Sequence, residues 1–259
     1  MSCWQRILLL KEGMRMLEKI DHFLQALKFH GMKEAFQEMR QEGILKEDKL
    51  ITIEALLRAE FNQRQVRSLN YRLKLAHLPY IKCLTDFDWV SSSLSEEKVC
   101  CLQTGAFIAN HANILLVGGA GSGKSHVAIA LAYSCIQQGY RTRFYDFYHL
   151  ASQLLQAHQQ GQKDRFISWL QRFSLVVVDQ VGYLPIDPQA ASLLCEFFLG
   201  CYEKTPLILT THLTFEEWGA VFGHPKLAMA VIDRLTHHCH ILETGNTSWR
   251  LKSSSRTSS

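Results

Sequence analysis

Gly118, Gly119, Ala120, Gly121, Ser122, Gly123, Lys124 and Ser125 fit the pattern G-x-x-x-x-G-K-[ST] at every position. The chemistry this spacing serves is phosphate binding. Glycines let the backbone curl so that successive N–H groups point inward at phosphate oxygens. A helix opening at the loop adds the partial positive charge of its N-terminus. Lys124 supplies a point charge for the β- and γ-phosphates, the Ser125 hydroxyl suits Mg²⁺, and His126 completes the nucleotide-binding set. The alternative is a glycine-rich turn with an incidental lysine; a preceding strand and a following helix argue for the phosphate site.

A second residue needs a cation. The run Leu175-Val176-Val177-Val178 ends in Asp179 and then the uncharged Gln180. An unpaired carboxylate at the end of so apolar a strand is costly. In P-loop folds a carboxylate on a neighbouring parallel strand holds magnesium, directly or through water. Capping of a following helix is the alternative role for Asp179.

The elements that must position these groups follow from periodicity. Five short apolar runs, ILLVG (114–118), TRFYDF (142–147), LVVVD (175–179), LILTT (207–211) and HILE (240–243), are separated by segments of helix length, including His126 to Gln138. This alternation predicts βαβ units and a parallel sheet covered by helices on both faces. One strand lies between Lys124 and Asp179, so the carboxylate sits on the third strand. The next strand ends in polar Thr210-Thr211-His212. That layout is the one of ATPases with a polarising or basic residue beside the carboxylate and a polar sensor on the following strand. No N-K-x-D guanine signature occurs, which favours ATP.

Upstream the texture is helical. Ile20, Leu24, Leu27, Met32, Phe36 and Met39 predict two helices within 17–42 with a break at His30-Gly31. Thr52 to Ala76 reads as a longer helix closed by Leu78-Pro79. Ser91-Ser92-Ser93 before Glu96 and Glu97 reads as a cap and another helix start. The fold class is therefore α/β: a three-layer P-loop core with a central parallel sheet, preceded by a small all-helical region. The expected divisions are a weakly patterned extension (1–16), a helical region (17–90), to which the family resemblance given below adds DNA binding and assembly, an ATPase core (91–252) and a disordered tail (253–259).

Composition sets the wider bounds. A chain of 259 residues with 47% hydrophobic and 20% charged residues reads as an ordinary globular protein. Its net charge of +4 permits an anionic partner without demanding one. Eight cysteines without CxxC spacing imply a reduced, cytoplasmic compartment, with vicinal Cys100 and Cys101 read as small apolar fillers. Ile7 to Leu10 is too short an apolar patch for a signal or membrane span, so no membrane partner is expected.

The stretches LPYIKCLTDFDW (78–89), GGAGSGKSHVAIAL (118–131), VVVDQVGYLPID (176–187), LTTHLTFEEWGAVFGHPKLA (209–228) and VIDRLTHHCHIL (231–242) resemble the IstB-like ATPases. These are AAA+ helpers encoded beside a transposase in insertion sequences, related to the DnaC helicase loader and the DnaA initiator. The resemblance implies an AAA+ core, ATP and Mg²⁺ as cofactors, and ATP-dependent self-association on double-stranded DNA. It also implies a cognate transposase as partner. Lys124, Ser125 and Asp179 carry over as the phosphate and magnesium groups, and Arg234 as the arginine that reaches a neighbouring subunit's ATP. An ion pair with Asp233 or Glu243 is the plainer role for Arg234. Gln180 stands where the family usually has a glutamate that deprotonates water, and His212 stands where it usually has a sensor asparagine. Losing a general base costs about 10²–10⁴ in rate, so slow hydrolysis is expected.

Arg64, Arg67, Tyr71 and Lys74 fall on one side of the 52–76 helix. They form either a stripe for DNA phosphates or a solvated helix face. His237, His238 and His240 invite a metal site, but adjacent histidines on a strand point to opposite faces and Cys239 is not spaced as a closing ligand, so a structural role is assigned instead. Trp218 and Phe222 read as core beside a helix cap. The competing functions are a transposition helper, a DnaC-like helicase loader, and a non-hydrolysing nucleotide-bound scaffold.

Overall fold

The computed structural model describes residues 3–245 apart from 224, with the backbone alone for 3–14 and 47. The expected tail and the end of the expected core, 246–259, lie outside the described residues. The chain divides into two compact units, Met1–Asn70 and Tyr71–Ser259.

In the first unit, α1 (Cys3–Ala26) begins inside the stretch that reads as weakly patterned, and is followed by α2 (His30–Gln41) and the start of α3 (Glu47–Ala76). Ile20, Leu24 and Leu27 of the first segment meet Phe36, Leu50 and Leu57 in one apolar cluster. The break falls at Lys28, not at His30-Gly31. Lys28 adopts φ 58, and Phe29 N–H closes back on Leu24 O at 3.0 Å, a Schellman arrangement that satisfies the helix end. His30 and Gly31 open α2 instead, and Met32 stays 53% exposed.

The second unit continues from the end of α3 and includes residues 71–90, which sequence periodicity groups with the N-terminal helices. Leu78, Phe87 and Trp89 pack against the core of this unit, and Leu84 is buried in it. Its helices are α4 (Glu96–Gln103), α5 (Ala106–Ala109), α6 (Lys124–Gln137), α7 (Phe147–Gln159), α8 (Lys163–Leu170), α9 (Pro188–Cys201), α10 (Trp218–Phe222) and α11 (Pro225–His237). The strands are β1 (Asn113–Val117), β2 (Thr142–Asp146), β3 (Leu175–Val181), β4 (Leu207–Thr211) and β5 (Cys239–Glu243).

The strands form one parallel sheet in the order β2-β3-β4-β1-β5. Alternation along the strands makes two cores, because successive side chains leave opposite faces. Val176, Val178, Leu207 and Leu209 pack under Leu150, Leu194, Phe197 and Val231. Leu175, Val177, Ile208, Ile114 and Leu116 pack under Val127, Ile129 and Leu131 of α6. The expected three-layer α/β core is present.

Two local readings change. The cap of α4 is Ser95, whose hydroxyl accepts from Lys98 N–H at 3.4 Å, not the serine triplet before it. Cys100 and Cys101 are exposed and fill no core, whereas Cys135, Cys195 and Cys201 are buried. Among the residues whose side chains are described every cysteine is a free thiol, and among the described residues no helix is long and apolar enough to cross a membrane.

Candidate nucleotide-binding site

The glycine loop joins β1 to α6, as the motif requires. Gly118 has φ 153, and a Cβ there would stand 2.3 Å from Thr244 Oγ1 and 2.6 Å from Gly245 O. Gly123, at φ 97, caps α6, and a Cβ there would meet Phe87 Cε2 at 2.6 Å. A side chain at Gly118 would have to displace the 244–245 segment and one at Gly123 the Phe87 ring, and both φ values favour glycine. Val127 N–H is the first to close back into the helix, on Gly123 O at 3.0 Å. Helix geometry leaves the N–H groups before it directed out of the helix end.

Lys124 folds over this loop, its Nζ donating to Gly118 O at 2.7 Å and Gly119 O at 2.6 Å. Ser122 Oγ donates to Gly119 O at 2.8 Å and is hydrogen-bonded to Thr244, so the loop is held from the end of β5 as well.

The carboxylate of Asp179 is reached through Ser125, whose Oγ donates to Oδ1 at 2.8 Å. Asp179 is only 5% exposed. Thr210 Oγ1, fully buried on β4, donates to the same oxygen. Burial holds the Asp179 carboxyl above the usual 3.8. Hydrogen bonds from Thr210 and Ser125 oppose that shift, the nearby Asp146 carboxylate adds to it, and Lys124 opposes it more weakly. Asp146 is the register partner of Asp179 on β2, and its own oxygen caps α7 by accepting from Tyr148 N–H at 2.9 Å. A buried carboxylate beside two hydroxyl oxygens is an oxygen set of the kind a hard dication takes.

Gln180 leaves the strand pattern. Val178 pairs with Leu209 and Val181 with Thr211, so Asp179 and Gln180 together face Thr210 alone. This β-bulge puts Gln180 at φ 64, with its side chain exposed and its N–H donating to Thr210 Oγ1 at 2.8 Å. Thr210 thus links the backbone of one residue to the carboxylate of the previous one.

A cleft of about 290 Å³ opens over the loop. Its floor is Gly121 to His126, and its wall is Tyr80, Lys82, Asp86, Phe87, Asp88, Ser91 and Ser92. Phe87 stands edge-on to His126 at 5.3 Å, and His126 Nε2 contacts Cys83 O at 3.0 Å. Sequence periodicity gave no role to this wall. Its signal was the aromatic stretch LPYIKCLTDFDW, and only tertiary packing brings that stretch to the loop. The bridge made by Thr210 and the place of Asp146 beside Asp179 likewise depend on tertiary packing.

The remaining expected site residues lie outside the cleft lining. His212 is exposed just past β4, its ring edge-on to Tyr183 at 5.8 Å. Arg234 is exposed in the last turn of α11, its guanidinium 5.9 Å from the Tyr202 ring, and among the described residues it makes no ion pair with Asp233 or Glu243. On α3, Arg67, Tyr71 and Lys74 are exposed. Arg64 has structural work within its own unit. It donates to Glu60 at 2.7 Å and to Leu27 O at 3.0 Å, and it lies over the Phe29 ring at 4.9 Å. Arg72 and Arg58 are likewise engaged, with Ile136 O at 3.1 Å and with Glu54 respectively.

Histidines 237 and 238 are not strand neighbours. His237 ends α11 and His238 occupies the turn before β5, which brings their rings to 4.3 Å. Trp218 and Phe222 are buried, as read from the sequence, and the structure makes the cap before them a box of Thr214 with Glu217.

Comparisons with known proteins bear on the family and the fold. The protein named as the ATP-binding protein of insertion sequence IS5376 in Geobacillus stearothermophilus is 37% identical over 198 residues, 76% of this chain and 79% of the relative. Its counterpart from insertion sequence IS21 of Pseudomonas aeruginosa is 36% identical over 76% of this chain and 74% of its own. Among solved structures, AMPPCP-bound DnaA from Aquifex aeolicus aligns with TM-score 0.53 and 17% identity over 70% of this chain and 55% of its own. DnaI aligns with TM-score 0.52 and 14% identity, over 63% and 90% respectively. These two likenesses concern the fold alone. Residues 22–257 match the family described as IstB-like ATP binding protein, and the chain belongs to that family.

Proposed function

We propose that this protein is an ATP-dependent helper of DNA transposition: it binds ATP with Mg²⁺, self-associates on double-stranded DNA, and engages a cognate transposase. The observation that carries the reading is the 2.8 Å bond from Ser125 to buried Asp179 beside a lysine-bearing glycine loop, in an IstB-like chain. Lys124 leaves its loop carbonyls for the β- and γ-phosphates, and the N–H groups at the start of α6 hold phosphate oxygens. Ser125 and Asp179 would hold Mg²⁺, which spreads the negative charge of the phosphates. The wall from Tyr80 to Ser92 encloses the nucleotide.

In the same reading, Gln180 orients the attacking water but cannot take its proton, His212 donates one hydrogen bond to the γ-phosphate, and Arg234 reaches the nucleotide of the next subunit. The consequence is an ATP-bound assembly that hydrolyses slowly and persists.

Titrating ATP with and without Mg²⁺ into wild type and Lys124→Ala by calorimetry tests the first step. A charge-assisted bond of about 1.5–3 kcal/mol predicts a loss of roughly 10- to 100-fold in affinity. Equal binding by both proteins refutes the site. Co-sedimentation with DNA, with and without ATP, tests assembly. A transposase reading frame beside this one supports the helper role, whereas a replication gene there supports a helicase loader.

A further inference from the structure

We propose that Glu203, His237 and His238 form a surface site for a zinc-class dication, joining the C-terminal ends of α9 and α11. One ligand atom from each residue lies within 4.8 Å of the other two. A tetrahedral ion with bonds of about 2.0–2.2 Å sets its ligands roughly 3.3 Å apart. All three side chains are exposed, so small rotations close that difference without disturbing the core.

The surroundings favour a cation there. Glu203 lies two residues beyond α9, where φ 54 turns the chain, and Lys204 and Thr205 N–H both return to Cys201 O at 3.0 Å. His237 is the last residue of α11. Two helix C-termini therefore converge, and each carries partial negative charge. The nearby side-chain charges are Lys204 and Arg234 on one sign and Glu203 and Asp233 on the other, so they balance and leave the helix ends' partial charge.

The donor set selects the ion. Two imidazoles and one carboxylate, with water in a fourth position, suit zinc or cobalt(II), whereas magnesium and calcium take oxygen shells. An orienting partner is in place: the Tyr202 hydroxyl lies 3.0 Å from His237 Nδ1. With Nδ1–H donating to the phenol oxygen, Nε2 keeps the lone pair that binds metal. This is the outer-sphere contact that metal-bound histidines use.

The test uses untagged full-length protein carrying Cys100→Ser and Cys101→Ser, which removes the exposed vicinal thiols as competing ligands. Zinc chloride is titrated by calorimetry, and cobalt(II) serves as a spectroscopic probe. The expected result is one equivalent of zinc, with tetrahedral cobalt bands and no thiolate charge-transfer band. His238→Ala and Glu203→Gln are each expected to weaken binding at least about tenfold, and Tyr202→Phe by about tenfold through the lost orienting bond. Circular dichroism verifies that each variant folds. Absence of zinc binding, or unchanged binding in a His237→Ala/His238→Ala double variant, overturns the proposal.

Discussion

Ser125 and Asp179, 54 positions apart in the chain, are joined by one hydrogen bond of 2.8 Å from hydroxyl to carboxylate. That bond connects the start of α6 to the last part of β3, the two elements on which a nucleotide and its metal would depend. It also shows what β3 ends against: a hydroxyl, a second hydroxyl from Thr210, and more distantly the Lys124 ammonium.

The residue after this carboxylate is predicted to limit hydrolysis. Gln180→Glu restores a group able to accept a proton, at a bulge position that already exposes its side chain. The expected outcome is turnover raised by about 10²- to 10⁴-fold with nucleotide affinity unchanged. Phosphate release under saturating ATP, with DNA present, measures it. No change in turnover means that proton abstraction is not what holds the rate down.

Thr210 is predicted to position Asp179. Its hydroxyl donates to the carboxylate and accepts from Gln180 N–H at 2.8 Å, in a fully buried setting. Thr210→Val keeps the shape and removes both bonds. The expected cost is about 1–3 kcal/mol of stability, from the buried groups left without partners. Thr210→Ser should recover most of it. Chemical denaturation of both variants decides, and equal midpoints for Val and wild type dismiss the role.

Asp179 gives the apoprotein a pH signature. Its carboxyl is held above the usual 3.8, first by burial. The folded state then binds the proton more tightly than the unfolded chain. Its contribution to stability is fully present below about 3.8 and is lost as pH rises through the raised value. At neutral pH the buried charge therefore works against folding. Asp179→Asn, which keeps an acceptor for Ser125 and Thr210, is expected to melt higher than wild type at pH 7 without nucleotide or metal. The gain should shrink toward pH 4. A difference that does not vary with pH contradicts the assignment.

DNA contact through α3 is best tested away from Arg64, because that guanidinium ties Leu27 O and Glu60 together within its own unit. Arg67→Ala/Lys74→Ala leaves those bonds in place. If both residues meet phosphates, the slope of log affinity against log salt should fall by about 1.8, at roughly 0.9 per contact. Binding measured by fluorescence anisotropy across a salt series reports it, and an unchanged slope removes α3 from the interface.

Local chemistry made much of this protein legible. Glycine spacing ahead of Lys124 fixes the loop between β1 and α6 because few residues tolerate that backbone. The runs ending at Val117, Asp179 and Thr211 announce strands of a parallel sheet because both of their faces must be apolar. Capping at Thr214 and burial of Trp218 follow from the same short-range rules.

What one dimension does not carry is which distant groups meet. The break at Lys28 depends on hydrogen bonds closing the end of α1, a position where no turn-forming residue marks it. The bulge at Gln180 arises from register with β4, and the cleft wall at 80–92 arises because Phe87 packs over Gly123. The meeting of His237 with His238 and Glu203 needed the ends of two helices to converge. Sequence settled the loop, the strands and the acid, since those are backbone and periodicity effects. Tertiary packing alone decided the cleft wall, the Thr210 bridge and the approach of Glu203 to the histidine pair, since each depends on contacts between segments far apart in the chain.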